Sequence, residues 1–233
     1  MTFKPDYPGA IVVEAANYGY GTPNRPVTWC FHTPEEPADD YPSTPEYLAT
    51  TDRDASYTYF VSYLAFVFQL VPEAEGAYAN ALEGKPAPPW SDGSNLNLQT
   101  LSLSFEGYAA TIHQTMPQGC SQWRAGVDLV AHRTKALGLK LDWCVGHKDV
   151  SIYRGDPGQF DQAAFIADVK AKMQEEEDDD MKLLIYRYKK GPLYIIGPDG
   201  KARKISINEY RVHKDAGNTF IDVQHDPEDI QKA

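Results

Sequence analysis

Strand-like and helix-like segments alternate along the first 174 residues, and this alternation constrains the fold more than any other feature of the sequence. Residues 27–32 are rich in β-branched and aromatic side chains, and apolar residues alternate with polar ones at 101–106, as in a half-buried strand. Apolar side chains recur at helical spacing within 123–134 and 165–173. The alternation predicts an α/β domain, in which helices pack on a β-sheet.

Single residues and short runs mark where several of these segments turn or end. Gly138 predicts the C-terminus of the first long helix, and Asp161 predicts the N-cap of the second. Residues 56–70 indicate a strand, a turn and a second strand, although their apolar density leaves a helix open. Residues 10–14 and 141–145 are predicted to be further short strands.

Six consecutive acidic residues, 175–180, mark the clearest boundary in the chain. Like charges repel one another and bury no apolar surface, so we interpret this run as a helix end that passes into a linker at 175–181. The alternative is a solvated helix end that has no meaning for the domain organisation. The first interpretation divides the chain into a domain at 1–174 and a small module at 182–233.

The segment after the acidic run has the pattern of a small β-rich module. Three short strands are predicted, at 183–186, 193–196 and 202–205. A short helix is predicted between Ser206 and Gly217. Residues 181–233 carry a net charge of +3, whereas residues 1–180 carry −14. Such an acidic body argues against nucleic acid as a partner, because nucleic acid requires a basic surface.

Composition also bears on the compartment in which the chain is made. No run of 18 apolar residues is present, and the first residues lack the basic start and apolar stretch of a signal peptide. We therefore expect the chain to be made in a cytoplasm and not to insert into a membrane. Cys30, Cys120 and Cys144 are too few for a disulfide framework. Cys30 and Cys144 lie in apolar, strand-like stretches and are predicted to be core residues rather than metal ligands.

His32, His147 and Asp156 have the residue types of an open zinc site. His32 ends an early strand, and His147 follows a short strand nine residues before Asp156. Two imidazoles and one carboxylate on strand ends and a loop supply three zinc ligands and leave a fourth position for water. Zinc lowers the pKa of that water to about 7 and polarises a carbonyl group, which permits amide hydrolysis at neutral pH.

Four segments form an ordered series of motifs within residues 27–169. The most specific is Gly146-His147-Lys148-Asp149-Val150 together with Asp156-Pro157-Gly158. The others are Trp29-Cys30-Phe31-His32-Thr33, Ser56-Tyr57-Thr58-Tyr59-Phe60-Val61 with the hairpin at 68–73, and the strand at 100–107. Together they resemble the type 2 N-acetylmuramoyl-L-alanine amidases, whose relatives include phage amidases and peptidoglycan recognition proteins. The resemblance implies a central mixed β-sheet with flanking helices, followed here by the small β-rich C-terminal module.

The resemblance also implies the roles of particular residues. Zinc is expected on His32, His147 and Asp156. Tyr57 matches a tyrosine beside the metal in the phage enzymes, and Arg154 stands where many members have lysine. By the chemistry of such a site, Arg154 stabilises the developing oxyanion, but it donates no proton because arginine stays charged. Proton transfer to the leaving amine then falls to Tyr57, to a water or to a carboxylate.

Besides Arg154, the chain departs from the family pattern at Thr58, which replaces a common histidine that is not a metal ligand, at Ser104 and at residues 78–81. Many members have a catalytic glutamate where this chain has Ser104, and Glu106 lies two residues further on. By strand alternation Glu106 is on the same face as Ser104, so it is predicted either to replace the family glutamate or to be solvated. The family's Trp-His-Ala-Gly turn is Tyr78-Ala79-Asn80-Ala81 here, so its substrate contacts are not carried over.

The resemblance implies a zinc amidase that hydrolyses the bond between N-acetylmuramic acid and L-alanine in bacterial peptidoglycan, and we expect it to act as a monomeric phage endolysin. We expect it to be made in the host cytoplasm and to reach the cell wall after release, where the basic module binds anionic wall polymers. The alternatives are a binding module without catalysis, a zinc peptidase acting within the stem peptide, and a cytosolic amidase that recycles muropeptides. Asp156 favours catalysis, because some binding-only relatives lack a metal ligand.

Overall fold

The computed structural model describes residues 3–38 and 43–180, together with four strands of the C-terminal segment at 184–188, 193–196, 202–205 and 220–223. The chain divides into two compact units, Met1–Lys172 and Met173–Ala233. Within the described ranges, no helix combines the length and the apolar character that a membrane span requires.

Six strands form the sheet of the first unit. They are β1 (Ile11–Val12), β2 (Thr28–His32), β3 (Tyr59–Val61), β4 (Val67–Gln69), β5 (Thr100–Phe105) and β6 (Val145–Gly146). Their spatial order is β1-β4-β3-β5-β2-β6. β2 pairs in parallel with β5 on one side and with β6 on the other, while β3 and β4 are antiparallel. The sheet is therefore mixed, as the resemblance implies.

Among the described residues, five α-helices accompany the sheet, and the two long ones are those that apolar spacing predicts. The helices are α1 (Ser43–Thr50), α2 (Ile112–Thr115), α3 (Ser121–Leu137), α4 (His147–Val150) and α5 (Gln162–Asp180). α3 ends at Gly138, which adopts the left-handed conformation with φ 68°. Asp161 Oδ1 accepts a hydrogen bond from Ala164 N at 3.0 Å at the start of α5. The predicted α/β architecture is confirmed.

The two faces of the central strands contact different partners. On one face, the Trp29 indole donates to Thr134 of α3 at 2.9 Å, and Phe31 packs edge-on against Phe165 of α5. Side chains alternate along a strand, so His32 lies on the opposite face. The core of that opposite face is a second apolar cluster, formed by Ala15, Leu48, Phe60, Leu70, Val71 and Ala77. The sheet thus separates a helix-covered core from the layer that carries His32.

The prediction that β5 is half-buried is wrong. All six of its residues are buried, including the polar Ser102 and Ser104. These serines lie on the same face of the sheet as His32, and Ser104 is directly opposite His32 in the β2–β5 register. The two-residue alternation therefore records two chemically different buried faces, one apolar and one polar, rather than one buried and one solvated face.

One other segment differs from the prediction. Residues 141–145 are not a single strand, because Trp143 N donates back to Lys140 O and forms a turn of 3₁₀ helix at Leu141–Trp143 before β6. The acidic residues 175–180 are the last residues of α5, which ends at Asp180, and the predicted passage into a linker stays a prediction. Glutamate is a good helix former, which lets the helix continue into the charged run.

The described strands of the C-terminal segment form a separate sheet. β7 (Leu184–Tyr188), β8 (Leu193–Ile196), β9 (Ala202–Ile205) and β10 (Phe220–Val223) are arranged in the order β10-β7-β8-β9. β7, β8 and β9 form an antiparallel meander, and β10 pairs with β7 in parallel. The first three strands coincide with predicted segments, whereas β10 was not predicted. The helix predicted between Ser206 and Gly217 lies outside the described residues.

Candidate metal centre

His32, His147 and Asp156 meet at the carboxyl end of the central parallel strands. His32 is the last residue of β2, and β6 lies beside β2 in parallel. His147 follows β6 directly and begins α4, and Asp156 lies in the loop after α4. Parallel strands that end at one edge bring such residues together although they are distant in sequence. The structure therefore unites the three residues that the sequence predicts as ligands.

The geometry of the three side chains fits a zinc ion. One ligand atom from each lies within 4.8 Å of the others. Asp156 Oδ2 is 3.0 Å from His32 Nδ1, and Asp156 Oδ1 is 3.3 Å from His147 Nδ1. Ligand atoms at tetrahedral positions with bonds of about 2.0–2.1 Å lie roughly 3.3 Å apart. Within the part of the chain that the structure describes, this is the group of histidine, cysteine and acidic residues able to hold a metal.

Burial and hydrogen bonding set the protonation of this group. Burial lowers the pKa of His32, although the hydrogen bond with Asp156 acts in the opposite direction. Burial would raise the pKa of Asp156, but the interactions with the side chains of His147 and His32 outweigh it and hold that pKa well below its usual range. Near neutral pH the carboxyl group is therefore ionised, and burial favours a neutral His32. These are the protonation states that bind a metal ion.

The loop that carries Asp156 is fixed by contacts with the start of α4. Lys148 N donates to Asp156 O at 2.7 Å, and Lys148 Nζ donates to Gly158 O at 2.6 Å. Asp149 Oδ2 accepts from Gly146 N at 2.7 Å, which holds the turn into α4. The Asp156-Pro157 peptide bond is cis. The motif around His147 thus positions both His147 and the aspartate.

A cavity of about 450 Å³ opens onto the three side chains. Its lining includes the triad and two of the three predicted catalytic residues, Tyr57 and Arg154. Arg154 also lines an adjoining depression of about 340 Å³. The cavity gives a substrate access to the position that the three ligands leave open.

Tyr57 lies directly beside the triad. Its ring centroid is 5.2 Å from that of His32. Burial raises the pKa of the Tyr57 hydroxyl well above its usual range, and the charge of Asp156 raises it further, while Arg154 acts in the opposite direction. The hydroxyl therefore stays protonated at neutral pH and is a hydrogen-bond donor at the cavity wall.

Glu106 occupies a different environment from the one predicted. Its side chain is fully buried, and Oε2 accepts a hydrogen bond from Tyr63 N at 2.7 Å in the turn between β3 and β4. Gln122 of α3 donates to the Glu106 carbonyl oxygen at 3.0 Å. The alternative of a solvated Glu106 is wrong because the turn and α3 cover this strand end. Glu106 is not among the residues that line the cavity, so we assign its carboxylate to the fold.

Glu35 is a cavity residue that sequence reasoning missed. Its backbone has φ 61°, which is uncommon for a residue other than glycine. Its Oε1 accepts hydrogen bonds from Thr33 Oγ1 at 2.7 Å and from Ala109 N at 2.9 Å. The carboxylate thus ties the end of β2 to the loop after β5. Its position three residues after His32 is the signal that would have indicated it.

Asn80 is a second residue that sequence reasoning missed. It belongs to the Tyr78-Ala79-Asn80-Ala81 segment, which departs from the family turn. Asn80 Oδ1 lies 2.6 Å from His32 Nε2, on the side of the imidazole opposite Asp156. The sequence offered no sign of this contact, because Asn80 and His32 are 48 residues apart.

Comparison with known proteins gives matches in structure alone. No protein-family model and no curated protein matches the chain. A selenomethionine derivative of AmpD shares 16% identity with it at a TM-score of 0.52, over 70% of this chain and 95% of that one. A mutant endolysin from Bacillus subtilis shares 15% at 0.52, over 69% and 99%. The catalytic domain of XlyA shares 16% at 0.50, over 70% and 94%.

The chain has the fold of these three proteins. The match extends over nearly the whole of each of them and about 70% of this chain. It confirms the architecture that the motif resemblance implies, with a mixed sheet flanked by helices. At 15–16% identity a shared fold does not by itself define an activity, so the chemistry must be argued from the residues of the site.

Replacing Gly158 by alanine is expected to disturb the Asp156 loop. Gly158 has φ 57°, and a Cβ atom there would lie 2.2 Å from the carbonyl oxygen of Ala109. Backbone strain and steric overlap together predict a loss of about 2–4 kcal/mol in the free energy of unfolding. Zinc binding should weaken as well, because Asp156 is two residues away. Urea unfolding and zinc titration measure the two effects.

Gly93→Ala is the matched control for this substitution. Gly93 also has a left-handed φ, of 82°, but a Cβ atom there would meet no atom within 4 Å. Only backbone strain remains, so we expect a loss of about 1 kcal/mol and unchanged zinc binding. Equal effects of the two substitutions would contradict the view that the close approach of Gly158 to Ala109 holds the Asp156 loop.

Proposed function

We propose that this chain is a zinc-dependent amidase that hydrolyses the bond between N-acetylmuramic acid and L-alanine in bacterial peptidoglycan. The observation that carries the proposal is the buried His32, His147 and Asp156 group at the base of an open cavity. The motif resemblance supplies the substrate class. The shared fold with an endolysin and with AmpD supports the same reading.

The residues of the cavity have distinct roles in this proposal. Zinc held by the triad supplies Lewis acidity and a nucleophilic water. Arg154 holds a fixed positive charge at the cavity wall, where it stabilises the oxyanion that develops on the scissile carbonyl. Tyr57 keeps its proton and donates a hydrogen bond beside the reacting group. Because Glu106 is directed to the β3–β4 turn, protonation of the leaving amine falls to Tyr57, to a water or to a carboxylate of the cavity lining such as Glu35.

Digestion of purified peptidoglycan tests this activity. The full chain should lower the turbidity of a cell-wall suspension, and a chelator should abolish the effect until zinc is restored. Mass spectrometry of the soluble products should find free stem peptides that begin with L-alanine. His147→Ala should contain little zinc and release no peptide, because two ligands hold zinc poorly.

Two other outcomes would overturn the proposal in different ways. Zinc-independent binding to peptidoglycan without release of peptide would indicate a recognition module. Fragments cleaved within the stem peptide, with L-alanine still attached to the glycan, would indicate a zinc peptidase.

Arg154 is expected to contribute to catalysis rather than to metal binding. Arg154→Ala should lower kcat on a soluble muropeptide by about 10²–10³-fold, because a fixed charge at the oxyanion is lost. Its zinc content should remain that of the wild type. Arg154→Lys should recover most of the rate, since lysine also supplies a positive charge.

Arg124→Ala is the control for the loss of an arginine elsewhere. Arg124 is exposed and is not among the residues that line the cavity. Its replacement should leave kcat unchanged. A rate for Arg154→Ala within about threefold of the wild type would exclude the oxyanion role, since that role is worth far more.

We further propose that the protein acts as a phage endolysin, made in a host cytoplasm and active on the wall after release. The endolysin among the structural relatives supports this setting, although AmpD is an equally similar structure. The net charge of +3 over residues 181–233 supports a role of that segment in binding anionic wall polymers.

Removal of residues 181–233 tests the targeting role. The shortened chain should bind cell walls less tightly and lyse intact cells more slowly than the full chain. Its kcat on a soluble muropeptide should be unchanged, which serves as the control for folding of the remaining domain. Unchanged wall binding would contradict the targeting role and favour an amidase that acts on free muropeptides.

A further inference from the structure

The buried side-chain amide of Asn80 contacts the His32 imidazole on the side of the ring away from Asp156. His32 is 1% exposed and Asn80 is also 1% exposed, so neither has water as an alternative hydrogen-bond partner. His32 Nδ1 faces Asp156, and His32 Nε2 faces Asn80 Oδ1 at 2.6 Å. The imidazole is therefore held from both sides, by a carboxylate on the metal side and by an amide on the other.

The orientation of the Asn80 amide follows from its other neighbours. Thr100 Oγ1 donates to Leu96 O at 2.8 Å, which uses the single hydrogen of the hydroxyl. The same Thr100 oxygen lies 2.6 Å from Asn80 Nδ2, so it accepts a hydrogen bond from the amide. The amide nitrogen must then point to Thr100 and the amide oxygen to His32. An amide oxygen only accepts, so the hydrogen between the two residues belongs to His32 Nε2.

The backbone around Asn80 is anchored as well. Asn97 Oδ1 accepts hydrogen bonds from Ala79 N at 3.0 Å and from Asn80 N at 2.5 Å. Asn97 itself donates to the Tyr20 hydroxyl at 2.6 Å. The position and the orientation of the amide are thus determined by groups that do not touch the metal centre.

We propose that Asn80 is a positioning residue that holds His32 in the tautomer with hydrogen on Nε2. The lone pair of Nδ1 then faces the metal position beside Asp156. This inference rests on the proposed zinc site, but it concerns affinity for the metal rather than the reaction. A partner on the second ring nitrogen fixes both the tautomer and the ring orientation of a ligand histidine, and its loss commonly costs 10–100-fold in metal affinity.

Asn80→Leu and Asn80→Asp distinguish hydrogen bonding from packing. Leucine is close to asparagine in size but accepts no hydrogen bond, so we expect zinc affinity to fall by about 10–100-fold. Aspartate also accepts from Nε2, and its second oxygen accepts from Thr100 Oγ1 once that hydroxyl turns from Leu96 O, so Asn80→Asp should retain zinc affinity within about threefold of the wild type. Competition with a chromophoric zinc chelator measures the dissociation constants of the full-length proteins.

Asn24→Leu is the control for the loss of a buried asparagine. Asn24 is 8% exposed and donates to the carbonyl oxygens of Glu73 and Thr100, at 3.1 and 3.5 Å. Urea unfolding of the metal-free proteins shows how far each substitution destabilises the fold. Asn24→Leu should lower the free energy of unfolding while leaving zinc affinity unchanged.

The possible outcomes separate this inference from the proposed function. Wild-type affinity for zinc in Asn80→Leu would overturn the positioning role and leave the amidase proposal intact. Equal losses of affinity in Asn80→Leu and Asn80→Asp would also overturn it, since packing rather than acceptance would then matter. Absence of zinc binding by the wild-type chain would overturn the zinc site itself.

Discussion

The contact on which the site depends is the one between a single carboxylate and two imidazoles. Asp156 places one oxygen 3.0 Å from His32 and the other 3.3 Å from His147. A buried carboxylate without partners would cost several kcal/mol, and here the two imidazole side chains beside it hold its pKa down. A divalent cation bound between the three groups would stabilise the same negative charge. The negative charge that makes Asp156 costly to bury is the one that a metal ion requires.

Contacts in the rest of the fold hold these three side chains close together. The two histidines lie at the same edge of the sheet, because β6 pairs with β2 in parallel. Lys148 bonds both ends of the Asp156 turn, and Gly158 lets that turn approach Ala109. On the far side of the sheet, α3 and α5 pack on the aromatic side chains of β2. A rigid scaffold of this kind holds ligands in place before the metal binds.

Much of this arrangement was accessible from the sequence. Apolar spacing and end signals gave both long helices and their termini at Gly138 and Asp161, since these depend on local interactions. The order of motifs indicated His32, His147 and Asp156, because each sits at a strand end or in a loop. The architecture followed from the alternation of elements and from the motif resemblance, and the shared fold agrees with it.

What sequence reasoning missed depends on contacts between distant segments. Alternation placed Glu106 on a face of the sheet, but it carried no information about the turn that covers that strand end. The same alternation suggested that β5 is half solvated, because a polar buried face and a solvated face have the same pattern. Asn80 supports His32 across 48 residues, in a segment that departs from the family turn. No local pattern reports such a contact.

X-ray absorption at the zinc edge tests the central claim most directly. The zinc-loaded protein should show two imidazole nitrogens and one or two oxygens from carboxylate and water, at about 2.0–2.2 Å. His147→Ala should lose one imidazole contribution if it retains any zinc. Sulfur at about 2.3 Å would place a cysteine on the ion. That result, or a spectrum without imidazole, would contradict a site built from His32, His147 and Asp156.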